Sequence, residues 1–282
     1  MTEDAFRTLT EPARQTPVHG AYEVVVLGGG PAGIAAAVAA ARAGRSTLLV
    51  ERYGFLGGMG TAAGVTNFCG LHANVRGAHR RVVEGVAADL LARIDALGGL
   101  NAPHMVMGRI QAQAYDTSAY KIAADDLVLG AGAQILFHAL AAGVVMADPG
   151  RIAALLLETK SGRVAVEGRL FIDCSGDGDM AAWAGAPFEK GDGAGNMLYP
   201  SSMFRINAVD PARADTSWSG LARLMAEAER NSNRRFPRKS PIVRPQKSGI
   251  EWRANMTQVA RPDGRAIDGT DARDLSEGEI EV

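Results

Sequence analysis

The chain has 282 residues, 47% of them apolar, with 30 basic and 31 acidic side chains and a formal net charge of -1. This length and composition allow one large or two modest globular domains whose core needs no disulfides. The two cysteines exclude a disulfide-rich scaffold and a cysteine-rich metal module. The small net charge gives no overall field that would gather nucleic acid or an anionic membrane. We therefore expect a soluble, cytoplasmic protein.

The N-terminal residues 1–20 are polar and lack the apolar centre of a signal peptide, so we expect a flexible N-terminal arm. The most apolar helical stretch, residues 32–43, is far shorter than the roughly 20 residues that cross a membrane. The sequence therefore predicts no transmembrane segment.

Residues 22–27, YEVVVL, form an apolar, β-branched run that stops at three glycines. Pro31 then opens an alanine-rich segment that ends at Gly44, and residues 46–50 form a second apolar run that ends at Glu51. This pattern predicts a strand, a tight turn, a helix and a second strand. Such a βαβ unit implies a parallel sheet with a right-handed crossover.

Residues 54–70 are rich in glycine, which suits a loop with a short helical turn whose backbone approaches another molecule closely. Apolar residues then recur at spacings of three and four over residues 82–97, the pattern of an amphipathic helix. A second helix is predicted over residues 118–129, followed by a strand over residues 134–138.

Three short apolar runs, residues 142–146, 152–158 and 163–167, are separated by strong turn signals and predict an antiparallel meander. Residues 170–174, LFIDC, predict a further buried strand. Beyond Gly185 the sequence predicts a helix over residues 221–230. The proline- and arginine-rich residues 231–253 are interpreted as a solvated, flexible loop, with binding of an acidic substrate or a partner subunit as the alternative.

Residues 28–33, GGGPAG, match the GxGxxG dinucleotide-binding motif in its required place between a strand and a helix. Gly28 permits the turn, Gly30 lets backbone N–H groups reach a pyrophosphate, and Gly33 allows the helix to pack closely on the sheet. Glu51, at the end of the second strand, is placed to accept both ribose hydroxyls and disfavours a 2′-phosphate. The motif alone is compatible with FAD and with NAD.

Three segments carry a more specific resemblance. They read GGGPAGIAAAVAAARAG, VERYGFLGGMGTAAGV and FIDCSGDGDMAAWAG, and they resemble the FAD-dependent oxidoreductase family within the glutathione-reductase-like flavoproteins. The resemblance implies an α/β fold: a Rossmann-like FAD-binding domain with a β-meander, plus a partial substrate or cap domain. We expect the FAD-binding domain at residues 21–185, with a helical insertion at about residues 72–104, and the partial domain at residues 186–282.

The resemblance also implies which residues contact a noncovalently bound FAD. The glycine turn and the end of the second strand would hold the adenosine and pyrophosphate, the glycine loop would flank the ribityl chain, and the third segment would close over the cofactor. For Asp177 and Asp179, capping of a helix that begins near Met180 is an alternative role. The candidate cofactor-binding residues are Gly28, Gly30, Pro31, Ala32, Gly33, Glu51, Arg52, Gly57, Gly58, Thr61, Gly176 and Asp177.

These observations predict an enzyme that transfers hydride or electrons between a small-molecule substrate and bound FAD. An NAD-binding dehydrogenase is the alternative, disfavoured by the third segment and by the glycine loop. A noncatalytic or truncated FAD-binding subunit is a second alternative, because residues 186–282 contain no segment that resembles the family's usual return to the FAD domain. In that case a partner chain or homo-oligomer would complete the flavin site.

The remaining candidates are weaker. Cys69 has no CxxC partner and is interpreted as a small buried residue, with a redox role as the alternative. Histidines, cysteines and carboxylates do not fall at metal-binding spacing, so no metal site is predicted. The basic residues between positions 234 and 247 lack aromatic interleaving, so nucleic acid is not an expected partner. The catalytic residues are left unassigned.

Overall fold

The computed structural model of the chain describes residues 8–106, 110–214, 217–233, 235–261 and 263–281. Its strands are β1 (Val18–Leu27), β2 (Thr47–Val50), β3 (Asn67–Cys69), β4 (His72–Val75), β5 (Ala78–Arg81), β6 (His104–Val106), β7 (Ile110–Ala114), β8 (Gln134–Leu136), β9 (Leu140–Asp148), β10 (Arg151–Thr159), β11 (Gly162–Asp173), β12 (Phe204–Ile206), β13 (Ile242–Pro245) and β14 (Trp252–Asn255). Its α-helices are α1 (Pro31–Arg42), α2 (Val86–Ala96), α3 (Thr117–Gly130), α4 (Asp179–Trp183), α5 (Pro211–Ala214), α6 (Leu221–Asn231) and α7 (Ala272–Glu281). Short 3₁₀ turns lie at Gly58–Gly60 and Ser217–Gly220.

The main sheet has the strand order β8–β2–β1–β11–β10–β9. The first four strands run parallel, and β10 and β9 extend the sheet as an antiparallel meander. Leu27 at the end of β1 lies between Val50 of β2 and Asp173 of β11. The predicted parallel βαβ unit is therefore confirmed, and its strands end together at one edge of the sheet.

The prediction of a flexible N-terminal arm over residues 1–20 is wrong for residues 18–20, which belong to β1. β1 begins at Val18, opposite Ala165, and the Pro17 carbonyl accepts a hydrogen bond of 2.8 Å from the Ala165 amide. The neighbouring strand β11 is long enough to offer backbone N–H and C=O groups here, and pairing with them extends β1. The extension is polar, so no apolar pattern in the sequence indicates it. Residues 1–7 of the predicted arm lie outside the described residues.

Strand β11 joins two runs that the sequence separates. Its first half pairs with β10 in the meander, and it pairs with β1 up to Asp173. Gly168 lies within the strand because a Cβ there would come within 2.9 Å of both Val25 and Phe171, so the glycine relieves crowding instead of ending the strand. The strand predicted at residues 170–174 is confirmed up to Asp173, but its predicted burial is wrong, since Leu170 is 56% exposed.

The predicted helices over residues 118–129 and 221–230 are confirmed as α3 and α6. Helix α2 begins at Val86, later than predicted, because Gly85 at φ +69° is its N-cap. The residues before it form the hairpin β4–β5, and β6 begins at His104. The insertion at about residues 72–104 is therefore mixed, not helical.

Two apolar clusters hold the main sheet. One lies between the sheet and the helices α1, α2 and α3 and includes Val26, Ile34 and Tyr120. The other cluster includes Val25 and Leu155. Side chains of successive strand residues alternate between faces, so neighbours such as Val25 and Val26 separate into the two clusters.

The C-terminal residues form a second sheet with the order β12–β14–β13 and a small cluster of Val243, Trp252 and Ala254. Residues 231–253 are therefore not a flexible loop over their whole length, because β13 pairs with β14 there. Arg234 of the predicted basic segment lies outside the described residues. Within the described part of the chain, no helix combines the length and the hydropathy needed to cross a membrane.

Candidate cofactor-binding site

A cleft of about 470 Å³ lies at the edge where β1, β2 and β11 end. Ligands of open α/β sheets bind at this edge, outside the carboxyl ends of the strands. The cleft is lined by Leu27, Gly28, Gly30, Pro31, Ala32, Val50, Glu51, Arg52, Tyr53, Gly58, Met59, Ala62, Ala63, Ala139, Leu140, Ala141, Cys174, Ser175, Gly176, Asp177 and Asp179. Nine of the twelve predicted residues are among these, and Gly33, Gly57 and Thr61 are not.

The three glycines of the motif differ in what surrounds them. Gly28 has φ +97°, and a Cβ there would lie 2.2 Å from the Cys174 carbonyl oxygen. A Cβ on Gly33 would lie 1.8 Å from the Gly28 carbonyl oxygen. A Cβ on Gly30 would meet only the Gly58 Cα, at 3.9 Å. The fold therefore requires glycine at positions 28 and 33, whereas at position 30 the side chain would enter open space in the cleft.

The N-terminus of α1 opens into this space. Gly30 is the N-cap and Pro31 occupies the first turn, and no side chain caps the helix. The first turn, residues 31–34, carries no acidic side chain. Its backbone N–H groups and the positive end of the helix dipole are thus left for an anion, which suits a pyrophosphate.

Glu51 is 5% exposed and holds the glycine turn in place. One carboxylate oxygen accepts a hydrogen bond of 2.7 Å from the Gly29 amide, and the other accepts one of 2.8 Å from the Tyr53 amide. The sequence predicts only a ribose contact for this residue. In the structure this carboxylate orients the backbone at Gly29 and at Tyr53.

Arg52 and Tyr53 form one wall of the cleft. The Arg52 guanidinium lies over the Tyr53 ring, 4.9 Å from its centroid, and Tyr53 stacks on Phe55 at 5.6 Å. The sequence predicts Arg52 but misses Tyr53. An aromatic residue two positions after the glutamate that ends β2 is the signal that would have indicated it.

The glycine loop contacts the motif turn through its backbone. The Gly57 amide donates to the Gly29 carbonyl at 2.8 Å, and Gly58 faces Gly30 in the cleft. Thr61 is buried and its hydroxyl donates to the Leu56 carbonyl at 2.8 Å. Gly57 and Thr61 therefore shape the loop from behind and do not line the cleft.

In the third segment, Asp173 and Ser175 take the capping role considered for Asp177 and Asp179. Asp173 accepts hydrogen bonds from the Ser175 amide, the Ser175 hydroxyl and the Ala181 amide at 2.7–3.0 Å. The Ser175 oxygen in turn accepts from the amides of Gly178 and Asp179, both at 3.1 Å. Asp177 and Asp179 line the cleft instead.

Acidic groups surround Asp179. Burial raises the pKa of this carboxyl above its ordinary value, and the neighbouring carboxylates of Asp177 and Asp173 raise it further, against the opposing effect of Arg52. Burial also raises the pKa of the Cys174 thiol, and Asp173 adds to this effect. Cys174 therefore lies in the cleft as a neutral thiol at neutral pH.

Other lining residues carry no signal in the sequence that would mark them as part of a site. Ala139, Leu140 and Ala141 reach the cleft because the Ala139 amide donates to the Glu51 carbonyl at 3.1 Å. Met59, Ala62 and Ala63 belong to the glycine loop, yet their side chains carry no polar group that would single them out. Cys69 is exposed and does not line the cleft, so its interpretation as a buried residue is wrong. Within the described residues, no His, Cys, Asp and Glu cluster could hold a metal ion.

Comparison with known proteins places these features in a family. Residues 23–282 match the family model described as FAD dependent oxidoreductase. No curated protein matches the chain. The family description names FAD as the cofactor and oxidation–reduction as the reaction class. It agrees with the predicted cofactor and with the predicted reaction class.

Several solved structures are similar to the chain at low sequence identity. BexE, studied for oxidation during BE-7585A biosynthesis, matches at a TM-score of 0.52 and 15% identity over 93% of this chain and 48% of its own. CabE, an aromatic hydroxylase from angucycline biosynthesis, matches at 0.47 and 13% identity over 92% of this chain and 48% of its own. A geranylgeranyl bacteriochlorophyll reductase-like protein from Thermoplasma acidophilum matches at 0.46 and 19% identity over 68% of this chain and 48% of its own. The chain thus spans about half the length of these structures. By its family match, the chain belongs to the FAD dependent oxidoreductase family.

Proposed function

We propose that the cleft binds FAD noncovalently and that the protein transfers hydride or electrons between the flavin and a small-molecule substrate. The observation that carries the proposal is the open space in front of Gly30, next to an uncapped helix N-terminus. Backbone amides that face such a space are suited to the pyrophosphate of a dinucleotide. The family match favours FAD over NAD for this position.

In this proposal the residues of the cleft bind and orient the cofactor. The amides at the start of α1 hold the pyrophosphate, while Glu51 accepts from the ribose and keeps the turn in place. Arg52 adds a positive charge beside the phosphates, and Gly58, Gly176 and Asp177 border the remainder of the cofactor. When bound, FAD supplies the two-electron chemistry, and the protein supplies binding, orientation and electrostatics.

The domain boundaries remain part of the proposal. We assign residues 21–185 to FAD binding and residues 186–282 to a substrate or cap domain. A cytoplasmic location is proposed from the composition, and it fits the two free thiols, Cys69 and Cys174.

The Gly30→Val variant tests the proposed site. Its Cβ clashes with no neighbour, so the chain should fold, and its side chain should block the approach of the pyrophosphate and abolish FAD binding. Gly130→Val is the matched control, because a Cβ on Gly130 at the end of α3 likewise meets no atom within 4 Å and lies outside the cleft. Circular dichroism reports folding, and titration followed by flavin fluorescence reports affinity.

Two results would contradict the proposal. One is equal FAD affinity for the parent and for a folded Gly30→Val chain. The other is chromatographic recovery of NAD alone, or of FMN, from the heat-denatured protein as isolated. A flavin absorbance spectrum that bleaches during anaerobic incubation with a reductant, and returns in air, would support redox competence of the bound cofactor.

A further inference from the structure

The C-terminal sheet carries three arginines in one row. Arg205 of β12 lies opposite Arg253 of β14, and Arg244 of β13 lies opposite Arg253 on the other side. Directly opposed residues of antiparallel strands project from the same face of a sheet, where like charges repel. Trp252 and Ala254 flank Arg253 along β14 and pack in the apolar cluster on the other face. The polar face of this sheet therefore concentrates positive charge.

Arg205 has protein partners for its charge. Its guanidinium forms an ion pair of 2.6 Å with Glu251 and also donates to the Thr117 hydroxyl. This arginine links the C-terminal sheet to the start of α3. Its role is accounted for by the fold.

Arg253 differs, because it is 6% exposed and no carboxylate of the described residues lies within ion-pair distance of it. Its Nη1 contacts the Met203 sulfur at 4.0 Å, a weak acceptor. Its Nη2 donates to Asn67 at 3.2 Å when the Asn67 amide is oriented to satisfy both of its ends. Its Nε has no hydrogen-bond partner in the described part of the chain. Burial lowers the pKa of Arg253, Cys69 and Tyr115 oppose this effect, and Arg244 adds to it.

A second buried donor without a partner is the hydroxyl of Thr66, next to Asn67 in the chain. Thr66 is fully buried and its hydroxyl makes no hydrogen bond to any described residue. It precedes Asn67, the residue that contacts Arg253. Buried polar groups are normally hydrogen-bonded, and a buried unpaired charge is costly. The Thr66 hydroxyl and the Arg253 Nε, on residues that both adjoin Asn67, therefore lack hydrogen-bond partners among the described residues.

The location connects Arg253 to the cofactor cleft. Met59 and Ala63 line the cleft, and the same loop continues through Gly64 to Thr66 and Asn67. Thus one end of the loop borders the cleft and the other end contacts Arg253. A molecule bound at Arg253 would sit across this loop from the cofactor cleft.

We propose that Arg253 binds the carboxylate of a small-molecule substrate at the seam between the glycine loop and the C-terminal sheet. Arginine donates two parallel hydrogen bonds to a carboxylate, and one guanidinium without an acidic partner balances one negative charge. A phosphate monoester, with nearly two charges at neutral pH, would exceed that balance. As a substrate site, this assignment rests on the proposed oxidoreductase function, whereas anion binding itself is measured without turnover.

The test is a thermal-shift titration of the full chain with sodium acetate, sodium benzoate and sodium phosphate at constant ionic strength, with and without FAD. An anion that binds the folded state raises the melting temperature by an amount that grows with the logarithm of its concentration divided by its Kd. We expect benzoate or acetate to stabilise the parent. We expect Arg253→Gln to weaken the apparent affinity for these anions about 10-fold or more. Arg253→Lys should also weaken it, because lysine cannot make the paired hydrogen bonds. Arg151→Gln, which removes an exposed arginine paired with Asp148 at the β9–β10 turn, should not change it.

The anion-free melting temperature separates binding from a structural role. If Arg253 serves a ligand, removing its unpaired buried charge should leave the anion-free chain equally stable or more stable. A less stable Arg253→Gln chain with an unchanged benzoate response would overturn the proposal. So would a parent that responds to phosphate alone, or to none of the three anions. If Arg253→Gln does not fold, Arg253→Lys decides: an anion response equal to that of the parent would overturn the assignment. Loss of FAD binding in Gly30→Val with an intact anion response would leave the two proposals independent.

Discussion

The main sheet and the C-terminal sheet present different chemical groups to a ligand. At the end of β1 the site is made of backbone, with glycines and an uncapped helix, and apolar clusters pack the sheet behind it. The C-terminal sheet has a small apolar cluster on one face and a row of arginines on the other. Ligand binding at the first region should therefore be sensitive to side-chain volume, and ligand binding at the second region should be sensitive to charge.

The largest effect should come from a cavity in the first region. Ile34 is 1% exposed in the cluster under α1, and Ile34→Ala should cost about 2–5 kcal/mol of unfolding free energy and weaken FAD binding by loosening the helix. Val243→Ala, in the C-terminal cluster, should cost about 1.5–3 kcal/mol and leave FAD affinity near that of the parent. Urea unfolding followed by circular dichroism, with FAD titration of each folded variant, checks both. Equal losses of FAD affinity would remove the distinction between the regions.

A smaller effect is expected at Glu51. Replacement by alanine removes the acceptor of the Gly29 and Tyr53 amides, so Glu51→Ala should weaken FAD binding by about 1–3 kcal/mol. The chain should also lose stability, because two buried amides lose their partner. Glu84→Ala, an exposed glutamate paired with Arg81, is the control and should change neither quantity. Unchanged FAD affinity in a folded Glu51→Ala chain would show that the carboxylate has no part in binding.

The smallest effect concerns charge within the cleft. The pKa of Asp179 is raised on folding, so its ionised form disfavours the folded state at neutral pH, and this cost disappears as the pH falls below its ordinary value of 3.8. Asp179→Asn should therefore raise the melting temperature at pH 7 relative to the parent, and the difference should vanish near pH 3. It should also tighten FAD binding, because one negative charge near the phosphates is lost. Asp95→Asn on α2 controls for the loss of a surface carboxylate, and a lower melting temperature of Asp179→Asn at pH 7 would contradict the prediction.

Local sequence was most informative where a backbone motif and an element end coincide. Residues 28–33 identified the turn, and Pro31 and Gly44 identified the two ends of α1. Local signals misled at β11, where Gly168 reads as a break but serves packing against Val25. They also misled at residues 18–20, because the pairing of a polar segment depends on whether a neighbouring strand is long enough to receive it.

The family, the order of the βαβ unit and nine of the twenty-one cleft-lining residues could be predicted from the sequence, because glycine positions and Glu51 express local backbone requirements. Local hydrogen bonds, which no sequence pattern indicated, make Asp173 and Ser175 rather than Asp177 and Asp179 the anchors of the start of α4. Only the tertiary structure brought Arg205, Arg244 and Arg253 into one row. The register of these strands depends on partners distant in the chain, so no single segment encodes it.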